Sequence, residues 1–139
     1  MKKSKRLLCT LIALLLVFCS LSSVMTVSAL SPETNEKHCK KAFSSVTIGG
    51  KKVNLKDIAG GWGDLTLKTK KKSVKVKVKL KNGWKLKKIF YYNSKGKEVK
   101  VKNGGSVKTK YILDANLMIH ARKGSHVAHL VVSIDSGRE

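Results

Sequence analysis

Acidic residues are scarce in this chain: eight Asp and Glu stand against 30 Lys and Arg among 139 residues, a formal net charge of +22. That imbalance excludes the near-neutral surface of an ordinary metabolic enzyme and points to an anionic partner. Proline is nearly missing, with Pro32 the only one, so no proline-rich linker divides the chain. Three cysteines are too few for a disulfide-built scaffold. Aromatic residues make up only 6% of the chain, which leaves few rings to serve both a core and a binding surface. The length suits about one domain, which excludes a TIM barrel of about 250 residues.

The one long apolar run stands near the start. Lys2, Lys3, Lys5 and Arg6 precede an apolar core over 7–18, and Val27-Ser28-Ala29 offers small or β-branched residues to a signal peptidase. The pattern predicts a secretory signal peptide over 1–29, cleaved after Ala29, and an extracellular destination. The core falls short of the ~20 residues that span a bilayer, so no membrane span is expected after cleavage. Phe18 before Cys19 argues against a lipidated cysteine, because a small residue belongs there. Cys9 and Cys19 leave with the signal. Cys39 then stands alone in a polar stretch and reads as an exposed thiol. Its alternative is intermolecular pairing, or a thiol activated by Lys37, Lys40 and Lys41.

The charge is concentrated. Residues 30–67 carry six lysines and four acids, whereas residues 68–110 carry seventeen lysines and one acid, Glu98. Arg122 and Arg138 are the only arginines beyond the signal segment. Lysine is a hydrated point charge without the planar fork that reads base edges, so a lysine carpet suits attraction to a charged polymer rather than recognition of a sequence.

The basic block has a period of two. Val74, Val76, Val78 and Leu80 alternate with Lys75, Lys77, Lys79 and Lys81, the signature of a strand with one apolar face. Asn82-Gly83 follows and predicts a hairpin to a return strand through Trp84 and Leu86, which would set Lys85 and Lys87 across from the first lysine row. The alternation slips at Lys88-Ile89, where a bulge is expected. Turns are expected over 93–97 and 103–105, with strands at Val99–Val101 and at Val107, Thr109 and Tyr111. Val46 and Ile48 with Val53 and Leu55 predict a short hairpin about Gly49-Gly50. Leu65 and Leu67 begin another strand, and a four-residue loop over 122–125 separates the last two. A weak helix is expected over 31–42. These elements predict an all-β fold, an antiparallel Ig-like β-sandwich of about eight short strands. The expected organisation is a signal peptide at 1–29, a polar segment at 30–43 and a sandwich domain at 44–136.

The stretch 74–101, with Asn82-Gly83-Trp84-x-Leu86 and Gly96-Lys97-Glu98-Val99, resembles the small immunoglobulin-like β-modules of secreted and surface proteins of Gram-positive bacteria. The resemblance covers about half the chain beyond the signal and implies a binding or spacer role. It brings no catalytic residues with it.

Candidate chemistry is thin. The acids form no obvious pair, and Gly60-Gly61-Trp62-Gly63 lies between strands, where a turn is expected rather than a phosphate cradle. Pairing Ala121 with His126 would make His120 and His129 diagonal neighbours, with backbones ~7–8 Å apart. Two imidazoles fall short of a stable zinc site, and no metal or cofactor is expected. Trp84 is expected in the core. Trp62, Tyr91 and Tyr92 are the candidate stacking residues. The function expected is non-catalytic binding of an anionic polymer: teichoic acid, an acidic glycan of a cell wall or matrix, or non-specifically a nucleic acid. The candidate residues are Lys68, Lys75, Lys77, Lys79, Lys85, Lys87, Lys100, Lys102, Lys108 and Lys110. The alternative is an interaction protein that binds a specific protein partner, with the lysines guarding strand edges and keeping it soluble.

Overall fold

Alternation decides which residues form strands and which way they face. In the computed structural model, which describes residues 30–138, apolar residues at every second position point into one shared core. The expected signal peptide lies outside the described residues. The elements are helix α1 (Pro32–Ala42), strands β1 (Phe43–Ile48), β2 (Lys51–Lys52), β3 (Trp62–Thr66), β4 (Ser73–Leu80), β5 (Lys85–Tyr92), β6 (Glu98–Val101) and β7 (Ser106–Lys108), a one-turn helix α2 (Thr109–Ile112), and strands β8 (Ala115–Lys123) and β9 (His126–Asp135).

Two sheets result. A four-stranded sheet runs β2-β1-β4-β7, and a five-stranded sheet runs β3-β9-β8-β5-β6. Val46, Ile48 and Val76 from the first meet Leu117, Ile119, Leu130 and Val132 from the second, all fully buried. Burying a Val, Leu or Ile stabilises by roughly 1.5–3 kcal/mol each, so this layer dominates the stability. The pairing is mixed rather than purely antiparallel, because β3 lies parallel to β9, Trp62 opposite Val131.

Four expectations about strands and their pairing are corrected. The Asn82-Gly83 turn forms, with Gly83 at φ 84° and the Trp84 amide donating to the Lys81 carbonyl, but β4 and β5 do not pair. One edge of β4 is taken by β1, and the other by β7, the Gly104-Gly105 backbone and the Asn103 side chain, so the turn carries the chain from one sheet to the other. Lys85 and Lys87 therefore do not face the β4 lysines. The β8–β9 loop is Gly124-Ser125 alone, with Lys123 opposite His126. That register sets His120 directly across from His129. The expected strand over 107–111 is cut short at Lys108, where α2 begins. The bulge expected at Lys88-Ile89 falls one residue earlier, at Lys87.

Helix α1 follows from local chemistry. Ser31 caps it by accepting from the Thr34 amide, Pro32 occupies the first turn, and Lys40 and Lys41 sit in the last. Its buried face is Cys39 and Ala42, both inaccessible to solvent. The free edge of β9 before its pairing with β3 is met by helix side chains. Asn35 donates to the His129 carbonyl and accepts from its amide, both at 2.8 Å, and His38 Nδ1 donates to the Val127 carbonyl at 2.7 Å. Polar side chains thus finish a strand edge that would otherwise be open to pairing. Cys39 is neither exposed nor activated, as either sequence reading required. Burial pushes its thiol up to about 12.

Candidate functional site: the lysine face of the four-stranded sheet

The outward positions of the four-stranded sheet follow from the same alternation. On β4 these are Ser73, Lys75, Lys77 and Lys79, with Val74, Val76 and Val78 buried beneath. Pairing brings hydroxyls beside each lysine: Ser45 lies opposite Lys79, Thr47 opposite Lys77, Ser106 opposite Lys75, and Ser73 opposite Lys108. Lys52 of β2 stands on the other side of Thr47. These strand residues of the face are lysines, serines and a threonine. Among the described residues the ion pairs are Lys40–Glu36 and Lys88–Glu98, and neither uses a cation of this face.

At one end the face opens into a cleft of about 450 Å³ between the Gly49-Gly50 turn and β4, lined by Thr47, Lys71, Ser73, Lys75, Lys77 and Ser106. Ammonium groups with hydroxyls between them supply donors for phosphate, sulfate or carboxylate oxygens, without a carboxylate to compete for them. Lysines at alternate positions of one strand are about 7 Å apart, and their mutual repulsion in water is about 0.6 kcal/mol per neighbouring pair. The sheet tolerates this easily, all the more because serines and a threonine, not further lysines, lie directly across.

The ten lysines singled out in the sequence do not share one surface. Lys75, Lys77, Lys79 and Lys108 lie on the face just described. Lys85 and Lys100 lie on the outer side of the five-stranded sheet, opposite Arg122 and Phe90, and Lys87 is the bulged residue of the same strand β5. Lys68 and Lys102 follow strand ends, and Lys110 belongs to α2, its ammonium 4.9 Å from the Tyr111 ring centre. Residues not singled out there but present on the face are Lys52, Lys71 and the hydroxyls. The outward direction of Ser45 and Thr47 was legible in the alternation around Val46 and Ile48, whereas their neighbours were not.

Of the stacking candidates, Trp62 and Tyr92 are exposed. Tyr91 is not: it is 5% exposed, faces the core and stacks on Tyr111 at 6.2 Å between ring centres. Trp84 is half-buried rather than fully in the core and walls a cleft with His38 and His126. His120 and His129 are stacked in parallel at 4.0 Å, closer than the diagonal arrangement expected. Burial first, then the neighbouring His129 and Lys88, lowers His120 to about 4. Burial and then Lys88 lower His129 as well. Among the described residues no group of three or more His, Cys, Asp or Glu side chains comes together to hold a metal ion. No helix among them is long and apolar enough to cross a membrane.

No protein-family model matches the chain, and neither a curated protein nor a solved structure matches it.

Proposed function

We propose that this is a secreted, non-catalytic binding module that holds an anionic polymer on the lysine face of its four-stranded sheet. The observation that carries the reading is the position of β4. Lysines guard strand edges against pairing with other chains, but β4 is an inner strand: β1 bonds one edge over 76–80, and the other is met by β7 over 73–75, then by the Gly104-Gly105 backbone at Val76 and the Asn103 side chain at Val78. Edge protection accounts for Lys51, Lys52, Lys100 and Lys108, which sit on the edge strands β2, β6 and β7. It gives no reason for Lys75, Lys77 and Lys79. An anionic polymer does: binding neutralises three adjacent cations and releases its counterions. The polymer class is teichoic acid, an acidic glycan or, without sequence preference, a nucleic acid.

We read the fold itself as Ig-like. What supports this is the strand order. With β1, β4 and β7 as A, B and E, and β5, β6, β8 and β9 as C, C′, F and G, the two sheets become A-B-E and G-F-C-C′, with β3 as a second part of A crossing to pair with G. In that order the Asn82-Gly83 turn is a B–C connection, which passes between sheets.

The test is retention on immobilised heparin and on teichoic acid across a salt gradient. The parent should elute at high salt. Replacing Lys75, Lys77 and Lys79 by Gln should preserve the fold, lower the eluting salt and reduce the slope of log affinity against log salt by about 2–3, at 0.7–0.9 per charge. Elution of the triple variant at the parent's salt would refute the reading.

A further inference from the structure

The five-stranded sheet presents a second surface of different chemistry. Its outer side is built in rows across the strands. One row runs Trp62, Val131, Met118, Phe90 and Lys100, on β3, β9, β8, β5 and β6 in turn. The row on one side is His129, His120 and Lys88, and the row on the other holds Asp64, Ser133 and Asn116. Tyr92, opposite Glu98, lies on the same side two residues beyond Phe90. Four rings form a continuous path across this side. His129 stacks on His120 at 4.0 Å, His120 meets Phe90 edge-on at 5.0 Å, and Phe90 meets Tyr92 edge-on at 5.7 Å. Phe90 is 3% exposed although it points away from the core, because its neighbours on the outer surface cover it, with the Lys88 ammonium 4.2 Å from its ring centre. It fixes the ring of Tyr92, which is 52% exposed.

Trp62, 56% exposed, is held at the opposite end by an unusual turn. Gly60 and Gly61 both take positive φ, 61° and 92°, and Ala59 and Trp62 exchange both backbone hydrogen bonds across them. A side chain at Gly61 would collide with the Asn35 amide, which also bonds the Gly60 carbonyl. An indole that gains nothing from the core is therefore aimed outward by a turn that two glycines and a helix side chain fix in place.

The central part of this surface carries little charge at neutral pH. Burial favours the neutral form of both imidazoles, Lys88 is paired with Glu98 at 3.0 Å, and the nearest group in line with Trp62 on β3 is an acid, Asp64. The strands that carry the two exposed rings, β3 and β5, stand three strand spacings apart, about 14 Å. Between them lie an apolar floor of Val131 and Met118 and a polar row of amide, hydroxyl and carboxylate. The free cations of this side, Lys85, Lys100 and Arg122, lie toward one strand end and on the edge strand β6, so a polyanion finds little to attract it between Trp62 and Tyr92. A second copy of the chain is disfavoured, because a two-fold pairing would bring Lys85, Lys100 and Arg122 of both copies together on a strongly cationic protein. A chain of uncharged sugar rings meets the requirements: each ring has an apolar face for an indole or phenol, and hydroxyls at its rim for Asn116, Ser133 and Asp64.

We propose that the outer side of the five-stranded sheet is a binding platform for a neutral glycan, with Trp62 and Tyr92 as its two stacking residues and the Asp64–Ser133–Asn116 row as its hydrogen-bonding rim. This surface is separate from the lysine face, so the module would hold two polymer types at once.

Calorimetric titration with cellohexaose, chitohexaose and mannohexaose tests it. At least one should bind, and Trp62→Ala and Tyr92→Ala should each weaken that binding about tenfold or more. The Lys75, Lys77, Lys79 triple Gln variant should bind it like the parent, which separates this platform from the polyanion reading. Circular dichroism and thermal melting of each variant show whether the fold is kept, and the two ring variants, at opposite ends of the face, check one another. Binding of none of the three by the parent overturns the proposal. So does binding that neither ring variant changes. Concentration-dependent dimerisation in sedimentation, abolished by Trp62→Ala and without sugar binding, would overturn it and assign the face to self-association.

Discussion

The two outer faces of this small domain are made by the same rule and come out as opposites. On the four-stranded sheet every second position of β4 is a lysine, and the positions paired beside those lysines are serine or threonine. On the five-stranded sheet the outward positions of β5, β8 and β9 include Phe90, Tyr92, Met118, His120, His129 and Val131, and the one lysine among those rings is neutralised by Glu98. A net charge of +22 is thus a poor description of either face. One face is a cationic carpet and the other is an aromatic platform with few free charges at its centre. Composition averages the two, and their separation leaves two surfaces of different chemistry on one domain.

The largest effect should come from breaking the layer the faces share. Val76 is fully buried between Lys75 and Lys77, and Val76→Asp would place an unpaired carboxylate in the core at a cost of several kcal/mol. The expected outcome is loss of cooperative unfolding in urea, with both faces lost together. A folded variant would show that the inner side of β4 is not the core.

Next comes the comparison of lysines by face. Replacing Lys85, Lys87 and Lys100 by Gln removes the same charge as replacing Lys75, Lys77 and Lys79. Long-range attraction depends on total charge, but a bound polymer contacts only one face. Heparin retention should therefore drop less for the five-stranded-sheet triple than for the four-stranded-sheet triple. Equal drops would mean that net charge, not a face, does the binding.

Asn35 tests how the edge of β9 is closed. Asn35→Ala leaves the His129 amide and carbonyl without these partners, and should cost about 1–3 kcal/mol, read as a lower urea midpoint. An unchanged midpoint would mean that water replaces the side chain at no cost.

The histidine pair sharpens the contrast through pH. His120 and His129 hold protons less tightly folded than unfolded, so the folded state binds fewer protons at mildly acid pH. Their contribution is present above the ordinary histidine value of about 6.5, and it is lost as pH falls toward about 4, where His120 takes up its proton beside His129 and Lys88. The Glu98 carboxylate acts in the opposite sense on His120. Urea midpoints between pH 6.5 and 4.5 should fall less steeply in His120→Gln than in the parent. Parallel slopes would show that the pair titrates as free histidine does.

The smallest effect is expected at Lys88–Glu98, where both side chains are about one-third exposed. Lys88→Gln should change stability by no more than about 1 kcal/mol. It should shift the His120 titration, followed by proton NMR, upward, since a cation that opposes protonation is removed.

Local chemistry in the sequence was enough to determine most of the strands, the facing of their strictly alternating residues, a helix over 31–42 and the outward direction of Trp62. Each of these depends on neighbours within a few positions: alternation, a capping hydroxyl, a glycine turn. The partner of each strand was decided only by the tertiary structure. Asn82-Gly83 reverses the chain wherever it occurs, but it does not say whether the reversed strand bonds to its predecessor or crosses to the other sheet. That depends on β1 on one edge of β4, and on β7 and the 103–105 turn on the other, all distant from Asn82-Gly83 in the chain. The same holds for the thiol of Cys39, polar in its local setting and buried once α1 docks, and for Tyr91, whose inward turn could not be told from that of its neighbours until β8 fixed the register. The two-residue Gly124-Ser125 loop completed that register and set His120 against His129. Side-chain direction is a local property of a pleated strand, whereas pairing is a competition among all the strands for a limited number of edges, and the outcome depends on the whole chain at once.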